Sequence, residues 1–344
     1  MQTNRQKANR QKDEIRQCSG DVKQTVGKEN QLAPVGADAD RLRVSLCGIE
    51  LTNPIIPASG TFGFGAEFAQ LWDINELGTF SFKGTTAQPR EGNAQPRVAE
   101  APGGMLNAIG LANPGVETVV NETLPNLARY FHKPVMSNVA GFSLAEFQQV
   151  ASKLDQMSQV GWHEINISCP NVHEGGKNFA DDPETASEVC RAVKAVTTKP
   201  VIMKLAPNAG NTVETALACA EAGADGLSLI NTFVGMRLDL RSGKPILANR
   251  TGGVSGPGVF PMALRMVWDV THAVPIPVIG IGGISCAEEV IEMMHAGASA
   301  VQIGTANLRD PYICRDIIRA LPSVMDRLGI VRLADLGHQH FAAE

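Results

Sequence analysis

The 344-residue sequence has few aromatic residues, no excess of basic charge and no long apolar run. Only 5% of its residues are aromatic and its formal net charge is −5, so it offers neither stacking platforms nor a basic field for nucleic acid. It also contains no uninterrupted apolar run of about eighteen residues, the length that a membrane-spanning helix needs. The composition therefore predicts a protein that binds neither nucleic acid nor a membrane.

Cysteine is sparse and scattered, since the seven cysteines form no C-x-x-C pair of the kind that holds zinc or an iron–sulfur cluster. His338 and His340 stand two residues apart near the C-terminus, but no carboxylate or thiol cluster accompanies them, and no metal site is predicted. An odd number of scattered thiols is typical of a reducing compartment. We therefore expect a cytoplasmic protein.

The first forty residues are polar and show no regular spacing of apolar side chains, unlike the rest of the chain. Such a segment cannot bury enough apolar surface to offset the entropy of ordering, so residues 1–40 are predicted to be a disordered tail. The whole chain is 44% apolar, which is enough to fill one large core. Residues 41–344 are therefore predicted to form a single domain.

From residue 41 onward, short β-branched and apolar runs alternate with longer helical patterns. Eight of these runs are predicted as strands, at 54–58, 79–83, 134–139, 163–167, 201–205, 226–230, 277–281 and 300–303. Helices are predicted between several of them, at 183–196, 212–222 and 287–296. Eight strand–helix units predict an α/β fold of the (β/α)8 TIM-barrel type.

Two further features are predicted around the barrel. In residues 44–51, apolar and polar residues alternate on both sides of Cys47 and Gly48. This pattern predicts a small N-terminal hairpin that could close the amino end of the barrel. The insertions after strands 2, 4 and 6 are long; those after strands 2 and 6 span about 84–133 and 231–274. Insertions of this length are usually lids or binding loops.

Polar or glycine residues follow most of the predicted strands at their carboxyl ends, the face where TIM barrels carry their active sites. They are Lys83, Asn138, Asn166, Lys204, Asn231, Thr232, Gly282, Gly283, Gly304 and Thr305. The glycines after strands 7 and 8 predict a phosphate cradle next to helix N-termini. Two lysines at the same mouth suit an electron-rich cofactor such as a flavin.

Cys169 lies between Asn166 and Asn171, directly after a predicted strand. A lone cysteine is ordinarily a small buried hydrophobe, but Pro170 ends this strand and a polar, glycine-rich run follows, which indicates a loop. Asparagine amides offer an acceptor and donors to a planar ring that carries N–H and C=O groups, and the thiol supplies a titratable centre. The pattern predicts a proton-abstraction site.

The ordered motifs closely resemble those of the class 1 dihydroorotate dehydrogenases, flavin-dependent barrels of pyrimidine biosynthesis. The resemblance extends from about residue 41 to 321, through the segments 53–60, 83–86, 107–111, 166–171, 230–232, 252–257 and 304–306. It implies oxidation of dihydroorotate to orotate, in which Cys169 takes the C5 proton and FMN accepts the C6 hydride.

The resemblance also implies which residues bind each ligand. FMN contacts are implied for Ser59, Lys83, Gly84, Asn138, Asn166, Lys204, Ile230, Gly256, Gly282, Gly283, Gly304 and Thr305. Contacts with dihydroorotate and orotate are implied for Lys83, Asn107, Ala108, Ile109, Gly110, Leu111, Asn166, Asn171, Asn231 and Thr232. Gly84 is a departure, since alanine is expected after the lysine.

Residues 107–111 and 231–239 are similar to the subclass that works with a separate electron-transfer subunit carrying FAD and an iron–sulfur cluster, with NAD as final acceptor. The chain has no nucleotide-binding fingerprint and no cluster-forming cysteines, which fits such a partner. The resemblance implies a homodimer, or a heterotetramer with the partner. A fumarate-linked class 1A-type enzyme, a related FMN-dependent dihydropyrimidine dehydrogenase and a non-catalytic barrel remain alternatives, and the long polar tail is foreign to the subclass.

Overall fold

Short apolar strands alternating with amphipathic helices build the protein, in a computed structural model that describes residues 37–168, 182–208 and 210–336. The strands are β1 (Val44–Leu46), β2 (Ile49–Leu51), β3 (Ile55–Pro57), β4 (Val98–Ala101), β5 (Gly104–Asn107), β6 (Val135–Val139), β7 (Val160–Asn166), β8 (Val201–Lys204), β9 (Gly226–Leu229), β10 (Phe233–Gly235), β11 (Gly252–Ser255), β12 (Val278–Ile281) and β13 (Ala300–Ile303). The helices are α1 (Ala37–Arg41), α2 (Ala66–Ala69), α3 (Val116–Thr118), α4 (Leu124–Leu127), α5 (Leu144–Asp155), α6 (Pro183–Lys194), α7 (Thr212–Glu221), α8 (Phe260–Thr271), α9 (Ala287–His295), α10 (Thr305–Arg309) and α11 (Ile313–Leu328).

Seven parallel strands form one sheet in the order β3-β13-β12-β9-β8-β7-β6. Their residues are buried almost throughout, as expected for strands covered by helices on one face and by the barrel interior on the other. Residues 79–85 span the remaining gap between β3 and β6. The Ser81 N–H donates to the Pro57 carbonyl at 3.1 Å, and the Phe82 N–H donates to the Met136 carbonyl at 3.0 Å. The sheet thus closes, and the predicted TIM barrel is confirmed.

The prediction of a regular strand at 79–83 is wrong, although this segment occupies the second position of the barrel. Ser81 and Thr85 each form only an isolated bridge to β6. The Lys83 N–H donates outside the barrel, to the Gly63 carbonyl at 2.9 Å. A regular ladder does not develop because the backbone bonds divide among β3, β6 and a loop. The other seven strands and the three predicted helices are present, with ends shifted by up to three residues.

The predicted N-terminal hairpin is present and covers the amino ends of the barrel strands. Val44 of β1 lies opposite Leu51 of β2 in an antiparallel pair. Trp162 in β7 donates its indole N–H to the Leu46 carbonyl at 3.1 Å. The Cys47 thiol donates to the carbonyl of Asp225, just before β9, at 3.2 Å. These bonds join the hairpin to the end of the barrel opposite the strand termini that carry the polar residues.

A short helix crosses the predicted boundary between the tail and the domain at residue 40. Helix α1 already begins at Ala37, and the Arg41 guanidinium donates to the Ile330 carbonyl at 3.0 Å and pairs with Asp326 at 2.8 Å. These bonds tie α1 to the last turn of α11 and to the segment that follows it. The rest of the predicted tail, residues 1–36, lies outside the described residues.

A four-stranded antiparallel sheet, in the order β10-β11-β5-β4, was not predicted. It joins the insertions that follow barrel strands 2 and 6, which were predicted only as lid loops. Glycine permits the close pairing, since a Cβ on Gly104 would lie 2.0 Å from the Ser255 carbonyl oxygen and one on Gly253 would lie 2.0 Å from Thr232 Oγ1. The insertion after strand 4, residues 169–181, lies outside the described residues.

The main core fills the space between the barrel wall and its helices. The few aromatic residues concentrate near the start of the barrel, where Phe80 contacts Phe62 and Phe131 with ring centroids 5.2 and 5.0 Å apart. Such aromatic contacts add to the free energy gained by burying apolar area. Across the described ranges, no helix combines the length and the apolar character needed to cross a membrane.

A buried histidine joins the outer face of the barrel wall to helix α5. His163 in β7 is fully buried between Ser137 Oγ, 2.7 Å from Nδ1, and Asp155 Oδ1, 3.2 Å from Nε2. Because a carboxylate only accepts, Nε2–H donates to Asp155 and Nδ1 accepts from the serine hydroxyl. Burial lowers the pKa of His163 to about 4, and the nearby Asp155 only partly offsets this effect.

This pKa predicts a loss of stability in mild acid. Above pH 6.5 the imidazole is neutral in both states, but between pH 6.5 and about 4 only the unfolded chain takes up the proton. The free energy of unfolding should fall by up to about 3 kcal/mol across that window from this group. Urea unfolding at pH 7.5 and pH 5 should show a smaller pH dependence in His163→Gln than in the wild type. The exposed His132, changed to Gln, should keep the wild-type dependence, and an unchanged dependence in His163→Gln would contradict the assignment.

Candidate active site

The carboxyl ends of the barrel strands open into a cleft of about 1280 Å³, walled on one side by the four-stranded sheet. All the residues to which the resemblance assigns FMN contacts line this cleft: Ser59, Lys83, Gly84, Asn138, Asn166, Lys204, Ile230, Gly256, Gly282, Gly283, Gly304 and Thr305. The substrate positions Asn107–Leu111, Asn231 and Thr232 line it too. Cys169 and Asn171 lie outside the described residues. The ligand roles of all these residues stay predictions.

Directly beneath the floor of the cleft lies a fully buried carboxylate, Glu164 in β7. Its oxygen Oε2 accepts from Asn138 Nδ2 at 2.7 Å and from Ser81 Oγ at 2.8 Å. Its oxygen Oε1 accepts from Gln302 Nε2 at 2.7 Å and from Ser228 Oγ at 2.8 Å. The four donors come from four different segments of the barrel wall. The carboxylate therefore links these segments inside the barrel, just beneath the cleft.

Lys204 supplies the charge that balances this carboxylate. Its ammonium lies 3.3 Å from Glu164 Oε2 and donates at the same distance to Gln302 Oε1. Burial opposes ionisation of Glu164, but the ammonium and the hydrogen bonds from Ser228, Gln302 and Ser81 outweigh it and hold the pKa of this carboxyl below its usual value. A buried ion pair is tolerated when its remaining hydrogen-bonding capacity is met in this way.

Asn138 connects the floor to the cleft. Its Nδ2 is used by Glu164, whereas its Oδ1 is buried and has no partner within the described part of the chain. Buried acceptors are rarely left without a donor in a folded protein, so this oxygen suits a ligand N–H. Gly84 borders it, and a Cβ at that position would lie 2.9 Å from Oδ1. Glycine in place of the expected alanine therefore leaves this acceptor more room.

Lys83 is the second cation of the cleft. Burial lowers the pKa of its ammonium, and the positive charge of Arg97 lowers it further. Among the described residues, no carboxylate forms an ion pair with it. The Lys83 ammonium can therefore serve an anionic or electron-rich ligand without first breaking an internal bond.

Two asparagine amides lie on the other side of the mouth. Asn231 Nδ2 donates to Asn166 Oδ1 at 3.3 Å, and Asn231 Oδ1 accepts from the Thr232 N–H at 2.8 Å. Asn166 Oδ1 also accepts from the Ser168 N–H at 3.3 Å. The Ser168 hydroxyl oxygen is buried and has no partner among the described residues. This side of the cleft thus presents several neutral donors and acceptors.

The loop at residues 107–111 is held in a strained shape. Leu111 has φ 56°, a left-handed backbone that costs a branched residue of order 1 kcal/mol. Asn113 Nδ2 donates to the Leu111 carbonyl at 2.7 Å, and its Oδ1 accepts from the Gly115 N–H at 2.9 Å and the Thr86 N–H at 3.2 Å. Asn93 Nδ2 donates to the Ala108 carbonyl at 2.9 Å. These bonds fix the shape of the predicted substrate loop at the rim of the cleft.

Glycine is required where strand β12 ends. Gly282 has φ +132° and Gly283 has φ +79°, conformations that side chains rarely adopt. A Cβ on Gly283 would also lie 2.7 Å from the Phe260 backbone nitrogen at the start of α8. After β13, Thr305 Oγ1 donates to Ser255 Oγ at 2.8 Å and joins this rim to β11. The exposed backbone suits the close approach of a phosphate.

These features are compatible with the FMN that the resemblance implies. The glycine turns can receive its phosphate, the acceptor at Asn138 Oδ1 can receive a ring N–H, and Lys83 places positive charge beside an electron-rich ring. The cleft is large enough for both a flavin and a small ring substrate.

Sequence reasoning missed the residues that support the site from below. Glu164, Ser81, Ser228 and Gln302 are polar residues at inward positions of apolar strands, and Asn113 lies in a loop. The one available signal was a charged residue, Glu164, within the buried strand that ends at Asn166. Nothing in the sequence spacing shows that its partners come from five other segments of the barrel wall.

Comparison with known proteins agrees with this geometry. Residues 41–325 match the family model described as dihydroorotate dehydrogenase. Three relatives are named dihydroorotate dehydrogenase B (NAD(+)), catalytic subunit. The protein of Bacillus thuringiensis is 55% identical over 296 residues, which cover 86% of this chain and 96% of the relative. Those of a Geobacillus species and Bacillus mycoides are 54% and 55% identical over the same share of this chain, and 94% and 96% of their own lengths are covered.

Removing the Lys204 charge should destabilise the protein strongly. In Lys204→Met the buried Glu164 loses its counter-ion, so the free energy of unfolding should fall by about 3–5 kcal/mol at pH 7. The matched control is Lys194→Met, which breaks the half-exposed pair between Lys194 and Asp225 at 2.7 Å and should cost under about 1 kcal/mol. Urea unfolding of the three proteins measures both losses. Equal losses would show that the buried pair does not stabilise the barrel.

Proposed function

Because the chain belongs to the dihydroorotate dehydrogenase family, we propose that it oxidises dihydroorotate to orotate in the cleft, as the NAD-linked catalytic subunit of pyrimidine biosynthesis. The observation that carries the proposal is that every described residue assigned to FMN or to substrate lines the same cleft. FMN, when bound, supplies the hydride acceptor for carbon 6. The family match and the relatives' names favour this enzyme over the fumarate-linked and dihydropyrimidine alternatives.

The described residues bind and orient the substrate. Dihydroorotate carries imide N–H and C=O groups and a carboxylate. The amides of Asn166 and Asn231 lie together at the mouth and offer both donors and acceptors to such a ring. The Lys83 ammonium offers positive charge to the carboxylate or to the electron-rich cofactor. The loop 107–111, held by Asn113, borders the same space and limits access of water.

We assign the proton transfer to Cys169. It follows Ser168, which lines the cleft, and the thiolate must take the proton from carbon 5 as the hydride leaves carbon 6. An ordinary cysteine has a pKa of about 8.5, so the thiol is mostly protonated at neutral pH. The base is therefore available in proportion to the thiolate fraction, and the rate should increase with pH.

The electrons leave through a separate subunit in this proposal. The relatives are named as catalytic subunits of an NAD(+) enzyme, which implies a partner for each of them. This chain has no nucleotide fingerprint and no cysteine pattern for a cluster. We propose a partner that carries FAD and an iron–sulfur cluster, in a heterotetramer built on a homodimer, and a cytoplasmic location.

Replacing Cys169 by Ala should slow flavin reduction without removing the flavin. Anaerobic addition of dihydroorotate to the purified, FMN-loaded protein should bleach the flavin absorbance and form orotate. Loss of a general base should slow this reduction by about 10²–10⁴-fold. In the wild type the rate should rise from pH 6 to pH 9 as the thiol ionises.

Cys47→Ala is the matched control, because this cysteine lies in the hairpin at the opposite end of the barrel. It should reduce flavin at the wild-type rate. A wild-type rate in Cys169→Ala, or a flat pH profile, would exclude Cys169 as the base. Bleaching by dihydrouracil but not by dihydroorotate would favour the dihydropyrimidine alternative.

The acceptor assignment predicts that this chain alone cannot reduce NAD. Dihydroorotate and NAD should give no NADH with the purified protein, whereas adding an FAD and iron–sulfur partner subunit should restore NADH formation, followed by its absorbance. Rapid turnover of the isolated chain with fumarate would instead support the class 1A-type alternative.

A further inference from the structure

The two ends of the Asn138 amide face different surroundings. Nδ2 points into the barrel and donates to Glu164 Oε2 at 2.7 Å. Oδ1 is buried, has no partner among the described residues and borders Gly84, which lines the cleft. One end of the amide therefore makes a structural hydrogen bond, and the other is a buried acceptor without a partner among the described residues.

The shape of an amide side chain does not determine which end faces which way, since its oxygen and nitrogen are nearly isosteric. Glu164 removes this ambiguity because an ionised carboxylate can only accept. Burial opposes its ionisation, yet Lys204 and three hydrogen bonds keep the pKa of Glu164 low, so it remains a carboxylate at neutral pH. Only the NH2 end of Asn138 can face it.

The carboxylate itself cannot turn away. Ser228 and Gln302 hold Oε1 at 2.8 and 2.7 Å, and Ser81 holds Oε2 at 2.8 Å. If Glu164 served only as the counter-ion of Lys204, its carboxylate would not need four hydrogen bonds. All four are shorter than the contact between Glu164 and Lys204, which is 3.3 Å. The network is built to keep the carboxylate in one place.

We propose that Glu164 is a positioning residue that fixes Asn138 with its carbonyl oxygen toward the cleft, so that the cleft presents an acceptor to a ring N–H at this point. The inference rests on the proposed function only in taking that ring to be the flavin of FMN. Glu164 itself does not line the cleft and acts on the ligand through Asn138.

Glu164→Gln cannot satisfy the same network. If its NH2 group takes the place of Oε2, it meets the NH2 group of Asn138, and the asparagine must turn and present a donor to the cleft. If its NH2 group takes the place of Oε1, it meets the NH2 group of Gln302 instead. FMN affinity, measured by quenching of flavin fluorescence, should fall about tenfold through the lost acceptor.

In the double variant Glu164→Gln with Asn138→Asp, the amide and the carboxylate exchange positions, so a donor again faces an acceptor. The glutamine introduced in β7 then donates its NH2 group to the new carboxylate, whose second oxygen faces the cleft as an acceptor. FMN affinity should return to within about threefold of the wild type. Asn138→Asp alone places two carboxylates within hydrogen-bond distance and should bind FMN worse than the double variant.

Thr79→Val is the matched control because it removes a buried hydrogen bond, from Thr79 Oγ1 to the Pro134 carbonyl at 2.7 Å, that lies outside the Glu164 network. It should keep FMN affinity within about twofold. If Glu164→Gln lowers affinity no more than Thr79→Val, or if the double variant binds no better than either single variant, the positioning role is refuted. If Glu164→Gln alone does not fold, the comparison of Asn138→Asp with the double variant decides the question.

A readout without flavin separates this inference from the proposed function. The side-chain NH2 resonances of Asn138, assigned by NMR in the ligand-free protein, should show slow hydrogen exchange in the wild type and in Thr79→Val, and should shift in Glu164→Gln. Unchanged resonances in Glu164→Gln would overturn the inference. A wild-type protein that shows the protected NH2 group but binds no FMN would support the orientation and refute the proposed flavin site.

Discussion

The active-site end of this barrel depends on one buried carboxylate. Glu164 is fully enclosed, and its ionisation is possible only because four hydrogen-bond donors and one ammonium surround it. These partners come from different staves, so the carboxylate fixes the distance between strands as well as the rotation of their side chains. The groups that the cleft floor presents follow from that constraint, because Glu164 binds the Asn138 NH2 group and the Lys204 ammonium and so sets the orientation of both side chains.

The rim is built on a different physical basis. There the backbone rather than a charge sets the geometry: Gly282 and Gly283 turn the chain with positive φ, and Gly104 and Gly253 let two insertions pair closely. The paired insertions become a sheet, which is stiffer than two separate loops of the same length. A rigid floor and a sheet-supported rim together define a cleft in which a cofactor and a small ring can be held at a fixed distance.

The sequence predicted the parts that repeat or that stand at strand ends. Eight units predicted the barrel, and Lys83, Asn138, Asn166 and Lys204 all lie in the cleft because strand termini meet at one face. It could not predict contacts between distant segments. The sheet of β4, β5, β10 and β11 needs pairing between residues more than a hundred positions apart, and the irregular stave at 79–83 is set by bonds to three different neighbours. The partners of Glu164 were missed for the same reason.

The two lysines, which the sequence suggested as equivalent, differ in the structure. Lys204 is balanced by Glu164, so the pair adds little net charge to the cleft and serves mainly to order its floor. Lys83 has no such carboxylate among the described residues, and burial and Arg97 both lower the pKa of its ammonium. The net positive charge of the cleft therefore lies at the Lys83 side. An anionic ligand gains most there, because its charge relieves the cost of a partly buried cation that no carboxylate in the described part of the chain compensates.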